Sequence, residues 1–229
     1  MSATARSTRR CPRMSSPRAD PAERIVGLYE ENAAAFDRQR DRSLFEQPWL
    51  ERFAALLPPG GAVLDIGCGM GEPIARWLID RGFRVTGLDS SPSLIASCRT
   101  RFPTQDWIVG DMRRLELGRR FDGLIAWHSF FHLSTDEQRS MFRRFALHAA
   151  DGAALMFTSG THEGEATGIW QGEALHHASL STDEYGRRLE ANGFGILDHR
   201  IEDPDCGHAT IWLARKHGTR PPAADGAQA

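Results

Sequence analysis

Residues 63–71, Val-Leu-Asp-Ile-Gly-Cys-Gly-Met-Gly, constrain the fold of this chain more than any other stretch. The short apolar run from Ala62 to Ile66 has the composition of a strand buried on both faces of a parallel sheet. It ends in glycines at alternate positions, Gly67, Gly69 and Gly71. Glycine lets the backbone turn sharply and lets a ligand approach without meeting a Cβ. From Glu72 to Arg81, Ile74, Trp77 and Leu78 recur at helical spacing, and Pro73 falls in the first turn, where its missing N–H costs little. A strand thus runs through a glycine corner into a helix, the corner that binds ligands in a doubly wound α/β sheet. A polar or charged ligand there meets unpaired N–H groups and a helix N-terminus.

The rest of the chain extends this pattern. Residues 21–38 and 45–57 read as helices. Strands are predicted at 62–67, 84–89, 106–110, 122–127 and 153–159, then a helix near 182–193, then strands at 194–202 and 208–215. Alternation of strands and helices implies a parallel sheet covered on both faces. The last two strands are joined only by Asp203-Pro204-Asp205-Cys206-Gly207, too short for a parallel crossover, so the final strand is antiparallel.

A chain of 229 residues has room for one good core. The formal net charge of −2 does not point to nucleic acid, and no apolar run is long enough to cross a membrane. Cys11, Cys68, Cys98 and Cys206 are far apart with no C-x-x-C pair, which argues for a reducing, cytoplasmic setting and against a zinc site; no metal is expected. Residues 1–20, rich in Arg and Ser, read as a disordered basic tail, with a transit peptide or a mis-assigned start as alternatives. Residues 218–229 read as a second tail, which leaves one domain over 21–217.

Dinucleotide enzymes typically carry G-x-G-x-x-G at this corner. Here the spacing is G-x-G-x-G with Asp65 two residues ahead, and E/D-x-G-x-G-x-G resembles the first motif of the class I S-adenosylmethionine-dependent methyltransferases. The resemblance covers roughly residues 22–216 and implies a Rossmann-like, seven-stranded methyltransferase sheet, mostly parallel with the last strand antiparallel and helices on both faces. It also implies S-adenosyl-L-methionine as cofactor, held by Gly67, Cys68, Gly69 and Gly71, with Cys68 a small filler between glycines. Asp89, with Ser90 beside it, closes the second strand and is placed to accept hydrogen bonds from a ribose diol, although Asp-Ser-Ser-Pro is also a good helix cap. Asp111 and Met112 match the family's adenine-contacting pair, the alternative being a turn Asp beside a core Met. Asp65 either shapes the pocket by accepting from the glycine-loop N–H groups or touches the sulfonium amino acid. Tyr29 and Phe36 match the Y-x-x-x-A-x-x-F/Y-D lid helix of small-molecule methyltransferases, within a lid region 21–57; two turns apart on one face, they equally suit core packing.

On the acceptor side the fourth strand runs into Trp127-His128-Ser129-Phe130-Phe131-His132-Leu133. The resemblance places Trp127 against the cofactor and His128 near the acceptor, where an imidazole can orient it or remove its proton. His132 is a second catalytic candidate, with packing as its alternative. Residues 160–180 are expected to cover the substrate, and a solvated surface hairpin is the plainer reading. The sequence lacks Asn/Asp-Pro-Pro-Tyr/Phe after the fourth strand, a signature of many base methylators, and has no basic stripe. A small-molecule acceptor is therefore expected. The alternatives are methylation of a protein or nucleic acid, a non-catalytic adenosylmethionine-binding regulator, and a nicotinamide-dependent oxidoreductase.

Overall fold

The computed structural model describes residues 21–218, so both expected tails lie outside the described residues, save Gly218. The N-terminal region forms α1 (Pro21–Glu31), α2 (Ala33–Gln39) and α3 (Gln47–Ala54). Then come β1 (Ala62–Ile66), α4 (Ile74–Asp80), β2 (Arg84–Asp89), α5 (Pro92–Arg101), β3 (Asp106–Val109), β4 (Phe121–Ala126) and α6 (Thr135–His148). The chain ends with β5 (Ala149–Ser159), a hairpin of β6 (Gly164–Trp170) and β7 (Glu173–Ser179), α7 (Thr182–Ala191), β8 (Phe194–Asp203) and β9 (Ala209–Lys216).

Seven strands form one sheet in the order β3-β2-β1-β4-β5-β9-β8. Strands β1 to β5 pair in parallel, and β9 inserts antiparallel between β5 and β8, as the short 203–207 connection requires. Neighbours along each central strand feed opposite cores. Val63, Ile125 and Met156 pack with Trp49, Phe53, Trp77 and Leu78 from α3 and α4. Leu64, Leu124 and Phe157 pack with Phe142 and Phe145 of α6 and Tyr185 and Leu189 of α7. Both faces are therefore dry, and polar ligands are left the carboxyl edge.

Local chemistry sets the helix starts on that edge. Ser91 caps α5, its hydroxyl accepting from Leu94 N–H, with Pro92 in the first turn. Ser134 and Glu137 form a reciprocal capping box on α6. The structure refines the sequence reading in several places, and β5 starts at Ala149 rather than at 153. The helix expected over 21–38 breaks at Asn32, whose side-chain amide bonds back to Leu28 O (2.9 Å). The helix expected over 45–57 keeps only its middle, 47–54. Pro73 sits at the cap of α4 rather than inside its first turn. Of the two readings of residues 160–180, the hairpin describes their backbone: its strands are joined by Gln171-Gly172, both at positive φ (54° and 82°), the two-residue turn whose twist suits paired strands.

Candidate functional site

The carboxyl ends of β1 to β4 surround a cavity of about 340 Å³, roofed by α1, α2 and β7. Its floor is the glycine corner. Gly67 N–H and Cys68 N–H donate to Leu88 O (2.7 and 3.1 Å), and Gly69 N–H donates to Asp89 Oδ2 (2.9 Å). These bonds pin the loop to the end of β2. A Cβ on Gly67 would stand 2.3 Å from the Ser129 side chain, and its φ of 75° is one that other residues rarely adopt. Gly71 is different: it is not on the cavity wall and abuts the rings of Phe102 and Trp107, so it serves packing beneath the loop.

Four carboxylates line the cavity; Glu72 is tied into ion pairs with Arg42 and Arg76, and the other three, at the strand ends, are in different states. Asp89 accepts from the N–H groups of Gly69 and Ser91 (2.9 Å each), and burial nonetheless holds its pKa above the usual value. Asp111 accepts from Arg113 N–H (2.8 Å) and pairs with its guanidinium; burial opposes ionisation, but the Arg113 bonds prevail and hold the carboxyl low. Asp65 is only 4% exposed and, among the described residues, receives no hydrogen bond. Burial, then the neighbouring Asp89 charge, push its pKa up to about 7. This corrects one of the two sequence readings, because the glycine-loop N–H groups go to Leu88 and Asp89 and leave the Asp65 carboxylate facing the cavity unpaired.

At the end of β4 the chain is held tightly. His128 has φ of 49°, uncommon outside glycine, and its N–H donates to Thr158 Oγ1 (2.9 Å). Ser129 Oγ donates to Ile66 O (2.6 Å). Trp127 packs into the α3-side core beside the His128 ring. Burial pushes both His128 and His132 down to about 4, so both imidazoles are neutral at pH 7. His132 Nδ1 meets His176 O (3.0 Å), and a carbonyl only accepts, so Nδ1 carries the proton and Nε2 the lone pair. Tyr29 OH donates to that Nε2 (3.1 Å). Both ring nitrogens of His132 are thereby occupied.

The hairpin and the N-terminal helices close on each other. Trp170 stacks on Tyr29 (5.2 Å between centroids) and meets Phe36 edge-on, while Gln171 bonds to Gln39 (3.0 Å). Glu30 accepts from Ser91 and from both N–H and hydroxyl of Ser93, which fastens α1 to the start of α5. Asp37, Arg42, Glu72 and Arg101 form a linked ion network between α2, the glycine loop and α5.

The structure gathers Tyr29, Asp65, Gly67, Cys68, Gly69, Asp89, Ser90, Asp111, Met112, Trp127, His128 and His132 around this one cavity. Sequence reasoning passed over Arg40, Arg113 and Phe131, which also line it. Arg40 carries no local signal. It caps α2 and is held over the pocket by an ion pair with the fully buried Glu46 (2.8 Å), six positions along the chain, between the end of α2 and the start of α3.

Residues 63–152 match a family model described as a methyltransferase domain. The chain is 28% identical over 225 residues to a dTDP-3-amino-3,6-dideoxy-alpha-D-glucopyranose N,N-dimethyltransferase of Streptomyces fradiae, covering 79% of this chain and 87% of that one. Among solved structures it resembles the 1,6-didemethyltoxoflavin-N1-methyltransferase of Burkholderia thailandensis, with a TM-score of 0.67 at 21% identity over 89% of this chain and 93% of that one. It also resembles an amino pentose methyltransferase of Micromonospora echinaspora, with a TM-score of 0.63 at 19% identity over 81% and 96%. At these identities the structural matches establish the fold.

Proposed function

We propose that this chain, a class I S-adenosylmethionine-dependent methyltransferase, transfers the methyl group to a small-molecule acceptor and binds its cofactor across the carboxyl ends of β1 to β3. The observation that carries the assignment of the cavity is the unpaired, buried Asp65 carboxylate beside Asp89. Two acids at the ends of adjacent strands suit a ligand with an ammonium at one end and a ribose diol next to it. When bound, S-adenosylmethionine supplies an activated methyl group on a sulfonium.

In this reading Asp65 faces the ammonium, and Arg40, whose charge acts on Asp65, faces the carboxylate of the same amino acid. Asp89 keeps lone pairs for the ribose hydroxyls while holding the glycine loop in shape. Asp111 receives the adenine amino group and Met112 packs on the ring. Tyr29 and Phe36 cover the methionine end. His128 faces the acceptor, and His132, with no free nitrogen, holds Tyr29. Gly67, Cys68 and Gly69 give close backbone approach, whereas Gly71 and Trp127 act through packing. A small acceptor suits a cavity roofed by the hairpin and lid helices. The relatives named for amino sugars and for didemethyltoxoflavin also act on small molecules. Among the described residues no helix is long and apolar enough to cross a membrane.

Parallel calorimetric titrations with S-adenosylmethionine, S-adenosylhomocysteine and NADH test this. Binding of the adenosyl ligands alone is expected; binding of NADH alone would overturn the assignment. Release of S-adenosylhomocysteine with any acceptor separates an enzyme from a non-catalytic binder.

A further inference from the structure

We infer that the acceptor is an uncharged planar molecule bearing an O–H or N–H, that it seats against Phe131, and that His177 takes the proton it loses. This rests on the methyl-transfer reading above. The cavity is divided by charge. Its ionic side chains, Arg40, Asp65, Glu72, Asp89, Asp111 and Arg113, come from the strand ends of β1 to β3, the glycine loop and the segment after α2. The opposite wall, from residues 128–133 and β7, contributes His128, Ser129, Phe131, His132, Leu133, Leu175 and His177, none of them a carboxylate, lysine or arginine. A charged acceptor would find no counter-charge there, and burying one unpaired is costly.

The geometry of that wall suits a flat ring. Phe131 neighbours both His128 (5.8 Å between centroids) and His177 (4.9 Å), so an aromatic ring and two imidazoles line this wall together. His132 is unavailable, since Tyr29 and His176 occupy its nitrogens. Among the described residues no hydrogen bond reaches the ring nitrogens of His128 or His177. Burial holds His128 down to about 4, a poor proton acceptor. Burial lowers His177 as well, but less far, and its ring is half-buried, so it can take a proton and pass it to water. As the acceptor's oxygen or nitrogen bonds to the methyl carbon, the carbon–sulfur bond breaks and its electron pair stays on sulfur. The O–H or N–H proton moves to the lone pair of His177, leaving a neutral methylated product and an imidazolium. Neutral His128 keeps one ring N–H to donate to a lone pair or the π face of the acceptor, which orients the ring.

The test uses protein saturated with S-adenosylhomocysteine, titrated calorimetrically with 2-naphthol, 7-hydroxycoumarin and indole, and with glucosamine as a cationic non-planar contrast. At least one planar compound should bind, Phe131→Ala should weaken it roughly tenfold or more, and glucosamine should not bind. With labelled S-adenosylmethionine and the planar compound that binds, His177→Ala should lower kcat about a hundredfold with KM little changed, and added imidazole should restore part of the rate. The same variant should bind S-adenosylhomocysteine like the wild type, and His208→Ala, exposed in the turn before β9 and away from the cavity, should leave turnover unchanged. Normal S-adenosylhomocysteine binding with no planar compound bound, or with glucosamine alone bound, would overturn the acceptor class. Binding without methylation, full turnover by His177→Ala, or no rescue by imidazole would overturn the proton role. Failure of S-adenosylhomocysteine itself to bind would instead sink the methyltransferase assignment on which the inference stands.

Discussion

The hydroxyl of Tyr29 donates to Nε2 of His132 at 3.1 Å, joining the first helix to the turn after β4 across 103 positions of sequence. The bond makes His132 a strut of the roof rather than a base, because its other nitrogen is spent on the backbone of β7. Tyr29→Phe leaves a buried acceptor unsatisfied and should cost about 1–3 kcal/mol. Urea unfolding should show that loss, and the S-adenosylhomocysteine complex should weaken as the roof loosens. Unchanged stability would mean the pair contributes nothing.

Asp89 both shapes the loop and, in the proposed function, holds the ribose. Asp89→Ala should therefore lower S-adenosylhomocysteine affinity roughly a hundredfold, from the lost charge-assisted bonds to the diol and the freed Gly69 N–H. The sheet should survive, as far-ultraviolet circular dichroism would show. Affinity within a factor of about three of the wild type would remove Asp89 from the site.

The ion network around Asp37, Arg42, Glu72 and Arg101 is partly exposed, so its effect should be kinetic more than energetic. Asp37→Ala should speed dissociation of S-adenosylhomocysteine several-fold in stopped-flow measurements, and salt should do the same to the wild type but less to the variant. Equal salt dependence in both would show that the network does not latch the lid.

His128 and His132 are neutral in the fold, held at about 4 against an ordinary 6.5. Their folded values lie below the unfolded ones, so the stability they lend is present above about pH 6.5 and is lost as pH falls toward 4, by at most about 1.4 kcal/mol per pH unit for each histidine. Asp65 works in the other direction: raised from 3.8 to about 7, its share is present at low pH and is lost as pH rises through 7. His128→Gln should therefore lose less stability than the wild type between pH 6.5 and 4.5. Parallel pH profiles would contradict the buried, neutral state of His128.

How much of this was legible in the sequence depended on how local each feature is. The strand, glycine corner and helix around 62–81 form from neighbouring residues, so their pattern is written there, and the short 203–207 connection announced the antiparallel β9. The hairpin over 164–179 was legible only as the alternative to a substrate cover, and without strand bounds, because β6 is mostly exposed and shows no apolar alternation. Asp65 was legible as a member of the site, but not its lack of partners, because the donors expected for it turn instead toward β2, a neighbour brought in by folding. Arg40 was illegible for a different reason: Glu46, six positions on, holds it through an irregular segment whose path no periodic pattern marks. On the acceptor wall the sequence singled out His128 and His132, and His177 fell within the 160–180 segment without being marked. Their division into an occupied His132 and the unpaired His128 and His177 is a matter of hydrogen bonds between elements far apart in the chain.

The central claim is that Asp65 meets a cationic ligand at the glycine corner, and proton-linked calorimetry tests it most directly. With a carboxyl near 7 in the free protein, binding of S-adenosylhomocysteine should tighten about tenfold from pH 6 to pH 8, release up to about one proton at the lower end, and lose both effects in Asp65→Asn. An affinity flat across that range, with no proton released in buffers of different ionisation enthalpy, would contradict it.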